Sequence, residues 1–190
     1  MIRALAIAAA CCAARPAAAD TGFEPWSWLA QVSGLAAYGQ NAEARPVFGA
    51  ELRVRRSADG PAPGSAWSLG LGVETASFDT VEPALTVGFE PLHRLCDDCD
   101  DVPMFGSLRA ALGGGVAWRS GERTEPFGVA RLSAGIVLAR RDDPDSRHHL
   151  SAQADVVIEG QLAADGSWRI GFGIELDPLR IIQDAVAFNR

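Results

Sequence analysis

Bulky apolar residues alternate with small or charged residues along most of this chain, and this period of two limits the fold more than any other feature. The clearest segment places four bulky residues at every second position: Trp67, Leu69, Leu71 and Val73. The positions between them are small or acidic: Ser68, Gly70, Gly72 and Glu74. Successive side chains point to opposite faces of a strand, whereas a helix has a period of 3.6 residues. The pattern therefore predicts β-strands with two different faces.

Eight segments are typical of strands, and stretches rich in Gly, Pro, Asp and Ser separate them. The segments cover residues 27–38, 47–56, 66–76, 83–91, 106–118, 128–140, 148–159 and 167–176. The pair Asp165-Gly166 between the last two is typical of a tight hairpin turn. We therefore predict an all-β fold, an antiparallel up-and-down β-barrel of about eight strands.

The small face is composed mostly of Gly, Ala and Ser, and its charged residues have both signs. These residues are Glu51, Arg53, Glu74, Glu90, Arg109, Arg131, Asp155, Glu159, Arg169 and Glu175. A narrow barrel interior favours small side chains, and buried charges are tolerated where they are paired. We therefore predict that this face lines the lumen as an ion-pair network. The bulky face would then contact lipid.

The large aromatic residues are expected at the two ends of such a barrel. If the strands alternate up and down, Phe48, Trp118 and Trp168 gather at one end, and Trp67 and Phe89 gather at the other. Membrane barrels carry aromatic girdles of this kind at both interfaces. The alternative is that these aromatic side chains fill the core of a soluble barrel.

On these residues the chain resembles the small eight-stranded outer-membrane β-barrels over residues 27–176. The resemblance implies an outer-membrane location, contact with outer-membrane lipid, and a structural or surface-interaction role, with an envelope protein as a possible partner and without enzymatic activity or a cofactor. The chain departs from that class at its end. Members usually finish on the last strand with a terminal aromatic residue, whereas fourteen residues follow Leu176 here and Phe188 is third from the end.

The C-terminal segment is typical of a short helix over about 178–188. Asp177 would be the N-cap and Pro178 the first helical residue, with Leu179, Ile182 and Val186 on one stripe. A helix that seals a barrel also suits a second hypothesis. In this alternative the protein is a periplasmic lipocalin-like barrel, and the bulky face lines a cavity for an apolar ligand.

Residues 1–19 have the organisation of a secretory signal peptide. A positive start at Arg3 precedes the apolar stretch 4–14, and Ala17–Ala19 forms a cleavage site before Asp20. Residues 20–190 would then form the barrel domain. No apolar run reaches the ~18 residues of a spanning helix. The balance of 24 acidic against 17 basic residues, a net charge of -7, disfavours a nucleic-acid partner.

The mature chain would keep two cysteines, Cys96 and Cys99, within an acidic connection. In an oxidising compartment this spacing favours a small disulfide loop. Two alternatives remain open, which are weak cation binding by the neighbouring aspartates and reactive thiols. We predict no metal site, because a zinc site needs more thiol or imidazole ligands than this connection offers.

His148 and His149 suggest a third hypothesis, a barrel-borne lipid hydrolase of the envelope. In a strand, adjacent imidazoles point to opposite faces, so the two residues are not expected to share one metal ion. A hydrolase would need a nucleophile and an acid to converge on one histidine. We therefore predict no catalytic residues.

Overall fold

The computed structural model describes residues 26–40, 44–57, 64–76, 78–95, 104–119, 124–140 and 149–179. Its elements are eight β-strands: β1 (Trp26–Gly39), β2 (Ala44–Ser57), β3 (Ser65–Ala76), β4 (Thr80–Arg94), β5 (Met104–Arg119), β6 (Glu125–Arg140), β7 (His149–Ala163) and β8 (Trp168–Leu176). Each strand pairs antiparallel with the next in sequence, and β8 pairs with β1 to close the barrel. The predicted all-β up-and-down barrel of eight strands is confirmed.

Several strands extend beyond the predicted bounds. β4 begins at Thr80 and ends at Arg94, whereas the alternation predicted 83–91, and β7 continues to Ala163 beyond the predicted end at 159. The added parts include polar residues such as Glu82, because ladder hydrogen bonds join backbone groups and do not depend on an apolar side chain. Hydrophobic alternation therefore underestimates strand length at the rims.

The strand register separates the two faces as the alternation requires. On β3 and β4 the cross-strand pairs Trp67–Phe89 and Leu71–Leu85 lie on the outer surface, and these side chains are exposed. Between them the pair Gly70–Thr86 faces inward and is buried. The interior is therefore polar and the exterior apolar, the reverse of a soluble core.

The two ends of the barrel differ in their connections. At the short-turn end the strands are joined by residues 40–43, 77–79, 120–124 and 164–167. At the terminus end, where β1 begins and β8 ends, the connections are longer, at 58–64, 95–103 and 141–148.

The turn between β7 and β8 shows how local sequence shapes the short-turn end. Gly166 has a φ of +87°, a conformation that glycine adopts without steric cost. The Asp165 carboxylate accepts a hydrogen bond of 2.8 Å from the backbone N–H of Ser167. Hydrogen bonds from the Ser167 hydroxyl and backbone hold the pKa of Asp165 below its usual value. The Asp-Gly pair thus forms the predicted tight turn.

Two predicted segments fall outside the described residues. The signal peptide over 1–19 lies wholly outside them, and the C-terminal helix over about 178–188 does so except for its first two positions. Both stay predictions. No helix in the described part of the chain is long and apolar enough to cross a membrane.

Candidate functional site

The lumen is the candidate site, because it concentrates charged side chains from seven of the eight strands, β2 to β8. All ten predicted lumen residues lie on the inward face. Eight of them are buried: Glu51, Arg53, Glu90, Arg109, Arg131, Asp155, Glu159 and Glu175. Glu74 and Arg169 point inward near the short-turn end and are slightly more exposed.

Arg131 on β6 is the centre of the network. Its guanidinium contacts four carboxylates from four different strands. Glu51 lies at 3.1 Å and Glu175 at 2.6 Å, and Glu74 and Glu159 complete the set. A guanidinium has five N–H donors in a planar fork, so one arginine can serve several carboxylates at once. Arg131 therefore links β2, β3, β7 and β8 across the barrel axis.

A second arginine extends the network toward the short-turn end. Arg169 on β8 donates to Glu74 at 2.7 Å, to Glu82 at 2.8 Å and to Glu159 at 3.2 Å. The Gln161 amide also donates to Glu82 at 3.2 Å. Glu74 and Glu159 are thus each shared between two arginines, so the two centres form one continuous cluster.

The half of the lumen nearer the terminus end is built around Arg55 on β2. This fully buried guanidinium donates to the Glu90 carboxylate, to the Ser27 hydroxyl and to the side-chain amide oxygen of Gln153, each at 3.1 Å. The Gln153 amide in turn donates to Asp155 at 2.7 Å. These hydrogen bonds connect β1, β2, β4 and β7 on the side of Arg131 that faces the terminus end.

Two further arginines, Arg53 and Arg109, bind Glu51. Arg53 lies 3.1 Å from Glu51 and 3.5 Å from Glu175, and Arg109 lies 3.3 Å from Glu51. The Thr86 hydroxyl also donates to Glu51 at 3.1 Å. Glu51 is therefore held by three arginines and one hydroxyl and cannot move without breaking several contacts.

The sequence prediction missed several members of the network, among them Arg55, Glu82 and Gln153. Arg55 follows Arg53 by two residues, so the same alternation indicated it. Glu82 lies one residue before the predicted start of its strand, and Gln153 is uncharged, so a search for paired charges passed over it. Extending the period of two into the rims would have identified all three.

We expect Gly70→Ala to destabilise the barrel by about 1–3 kcal/mol, because an inserted methyl group overpacks a filled interior. A Cβ at Gly70 would overlap the Glu51 carboxylate and the Thr86 hydroxyl. Gly160→Ala is the matched control, since its Cβ would meet nothing within 4 Å. The control is expected to be stabilising by about 0.4–1 kcal/mol through the unfolded chain. Urea unfolding of both variants measures the difference, and equal stabilities would contradict a tightly filled lumen.

The lumen leaves little space between these side chains. Beside Arg131 lies a cavity of about 20 Å³, which is room for one water molecule. A larger cavity of about 450 Å³ opens at the short-turn end above Glu82, Phe127 and Arg169. Toward the terminus end, four buried apolar side chains form a cluster: Leu92, Phe105, Val137 and Ala139. Paired side chains therefore fill most of the lumen between the two ends of the described barrel.

The outer surface is the second functional feature. Trp28, Trp67 and Phe89 lie toward the terminus end, and the Trp67 and Phe89 rings are 5.0 Å apart. The other rim carries aromatic side chains near the short turns: Tyr38, Phe48, Phe78, Trp118 and Trp168. Phe48 and Phe78 stack with ring centroids 5.3 Å apart. Exposed aliphatic side chains occupy the band between the two rims.

The direction in which the bulky face points tests the second hypothesis, that of a periplasmic lipocalin-like barrel with an apolar ligand. Trp67 is 64% exposed, Ile170 41% and Phe172 50%, all on the outside of the barrel. A lipocalin-like carrier needs these bulky residues inside, around its ligand. The expectation that the bulky face lines an apolar cavity is therefore wrong for the described barrel, because charged side chains occupy the interior instead.

The remaining candidate residues are those of the predicted disulfide and of the hydrolase hypothesis. Cys96, Cys99 and His148 lie outside the described residues, and so does the side chain of His149. The disulfide and the hydrolase hypothesis stay predictions. Within the described ranges, no group of three or more His, Cys, Asp or Glu residues is arranged to hold a metal ion.

Comparison with protein-family models and with curated proteins finds no match to this sequence.

Proposed function

We propose that this protein is a small outer-membrane β-barrel with a structural or surface-interaction role and without enzymatic activity. The observation that carries the proposal is the inverted polarity of the barrel. Its outward side chains are large and apolar, whereas its inward side chains are charged and paired. Soluble proteins rarely expose contiguous apolar patches beyond a few hundred Å². A hydrocarbon environment accounts for both faces at once.

The separation of the aromatic rims supports this proposal. Trp28 and Tyr38 are both exposed and lie ten residues apart on β1. At a rise of ~3.3 Å per residue and a strand tilt of ~40°, they are separated by about 25 Å along the barrel axis. The apolar band of membrane barrels is about 25 Å tall. This agreement in height supports the proposal that the two rims lie at the two membrane interfaces.

The filled lumen supports a structural role. Arg131 and Arg169 bind carboxylates from both sides of the barrel, so paired side chains fill the lumen around them. The polar connections then offer surface for interaction. The connection over 95–103 contains Asp97, Asp98, Asp100 and Asp101. An acidic loop of this kind would attract a basic envelope protein or cations at the membrane surface.

Tryptophan quenching tests the membrane proposal. All five tryptophans lie near a rim: Trp26, Trp28, Trp67, Trp118 and Trp168. In reconstituted vesicles, we expect lipids brominated near the glycerol backbone to quench the fluorescence more than lipids brominated at the chain terminus. Fractionation of cells provides the companion measurement, and the protein should leave the membrane pellet only with detergent. Recovery in the soluble periplasmic fraction, with no quenching by either lipid, would refute the proposal.

A further inference from the structure

The barrel closes unevenly, because β8 is much shorter than its neighbours. β8 pairs with residues 32–39 of β1 and with residues 154–162 of β7. Toward the terminus end, β1 continues through residues 26–31 and β7 through residues 149–153. In the described part of the chain, residues 26–31 have a strand partner only on the β2 side. We call this gap beside residues 26–31 the seam.

The local sequence explains why β8 stops. Pro178 has no backbone N–H, so it cannot continue the ladder. The backbone N–H of the preceding residue, Asp177, donates to the backbone carbonyl of Gln153 on β7 at 3.0 Å. The chain therefore leaves the β1 edge at the point where the seam begins. β1 and β7 approach within 8 Å between Cα atoms, but no ladder joins them.

Within the described residues, the backbone of residues 26–31 has no ladder partner on the seam side. In an antiparallel strand, alternate residues point their N–H and C=O groups to one side, so about three of the six residues face the seam. Gln31 lies beside it on the inner face and is only 2% exposed. Within the described residues, neither its amide nitrogen nor its amide oxygen has a hydrogen-bond partner. An open edge is costly in hydrocarbon and invites strand pairing in water.

We infer that the C-terminal segment, residues 180–190, covers this seam. The segment is attached at Leu179, three residues after β8 ends, so its local concentration at the seam exceeds that of any separate partner. The predicted helix over about 178–188 has eleven residues and would be about 16 Å long, against about 20 Å for six residues of strand. The lengths therefore match. Proteins commonly protect sheet edges with a helix or a loop.

The sequence of the segment suits this position. Leu179, Ile182 and Val186 share one helical face, and Gln183 lies on the same side. The apolar side chains would exclude water or lipid from the strand edge, and the Gln183 amide would offer a donor and an acceptor to it. The same cover serves a barrel in a membrane or in water, so the inference does not depend on the proposed function.

Cysteine cross-linking tests the inference in the full-length chain, after its four native cysteines are changed to serine. Ala30 faces outward at the seam, and Leu108 faces outward at a similar height on β5, across the barrel. Oxidation of Ala30→Cys combined with Ile182→Cys should give an intramolecular disulfide, whereas Leu108→Cys combined with Ile182→Cys should not. A cross-link between two chains would overturn the inference in favour of a second copy. Absence of any cross-link from Ile182→Cys and Val186→Cys would also overturn it.

Hydrogen exchange provides a second measurement. In a chain that ends after Leu179, amides of residues 26–31 should exchange at least about tenfold faster than in the full-length protein, because their cover is gone. Amides of β3 and β4 are the internal reference and should be unchanged. Equal exchange of residues 26–31 in the two chains would overturn the inference, even if the shortened protein remains folded.

Discussion

The Arg131→Met variant is expected to lose about 3–5 kcal/mol of stability, because removing one partner leaves buried charges uncompensated. Arg131 contacts Glu51, Glu74, Glu159 and Glu175, and these carboxylates would face one another without their central cation. The change can be measured as a shift in the free energy of unfolding by urea or guanidinium. It is the largest effect expected from a single lumen substitution.

Arg56→Met is the matched control for Arg131→Met. The Arg56 side chain is half-buried on the outer face of β2, and its guanidinium lies 5.5 Å from the ring centroid of Trp26 near the terminus end. Its substitution is expected to cost about 0.5–2 kcal/mol, less than loss of the central cation of the lumen. In the double variant Arg131→Met with Glu159→Gln, the loss should be smaller than the sum of the two single losses, because the groups are coupled. Equal effects of Arg131→Met and Arg56→Met would contradict the central role of Arg131.

A second large effect is expected from a charge placed on the outer face at different depths. Val87 lies midway along β4, and Val81 lies near its short-turn end. Both point outward, with exposed fractions of 53% and 40%. In lipid vesicles, Val87→Arg should destabilise the folded barrel by about 2–4 kcal/mol, and Val81→Arg by about 0–1 kcal/mol. The two variants share a strand, a face and a residue type, so depth is their main difference.

The depth dependence distinguishes a membrane barrel from a soluble one. On the surface of a soluble barrel, both arginines would meet water, and both substitutions should change stability by less than about 0.5 kcal/mol. Reversible unfolding from vesicles measures the two free energies. Equal losses for Val81→Arg and Val87→Arg would count against a bilayer around the outer face.

The alternation of residues predicted the strands because the period of a strand is local. Trp67, Leu69 and Leu71 must share a face wherever the strand lies, so the spacing alone identified both faces of β3. The rims were less predictable. Thr80 and Glu82 belong to β4 through their pairing with Ala76 and Glu74 of β3, and that pairing lies outside the local pattern.

The candidate site was only partly predictable, and for a similar reason. The sequence indicated that charges of both signs share the inner face. It could not indicate that Arg131 would meet carboxylates 28, 44, 57 and 80 residues away in the chain. Such pairings depend on which side chains reach the barrel axis at the same height. The shear of the closed sheet sets that height.

The amino-acid sequence by itself determined that this protein would form about eight strands with one bulky apolar face and one small, charge-bearing face, because side-chain alternation follows from backbone geometry. Only the tertiary structure decided that the bulky face lies outside. In the closed sheet, the small residues of the inner face leave room for arginine and glutamate side chains that neutralise one another across the lumen. The tertiary structure also showed that β8 is too short to pair with the whole of β1. The first and last strands lie side by side only in the closed barrel, so only there does the difference in their lengths leave part of β1 unpaired by β8.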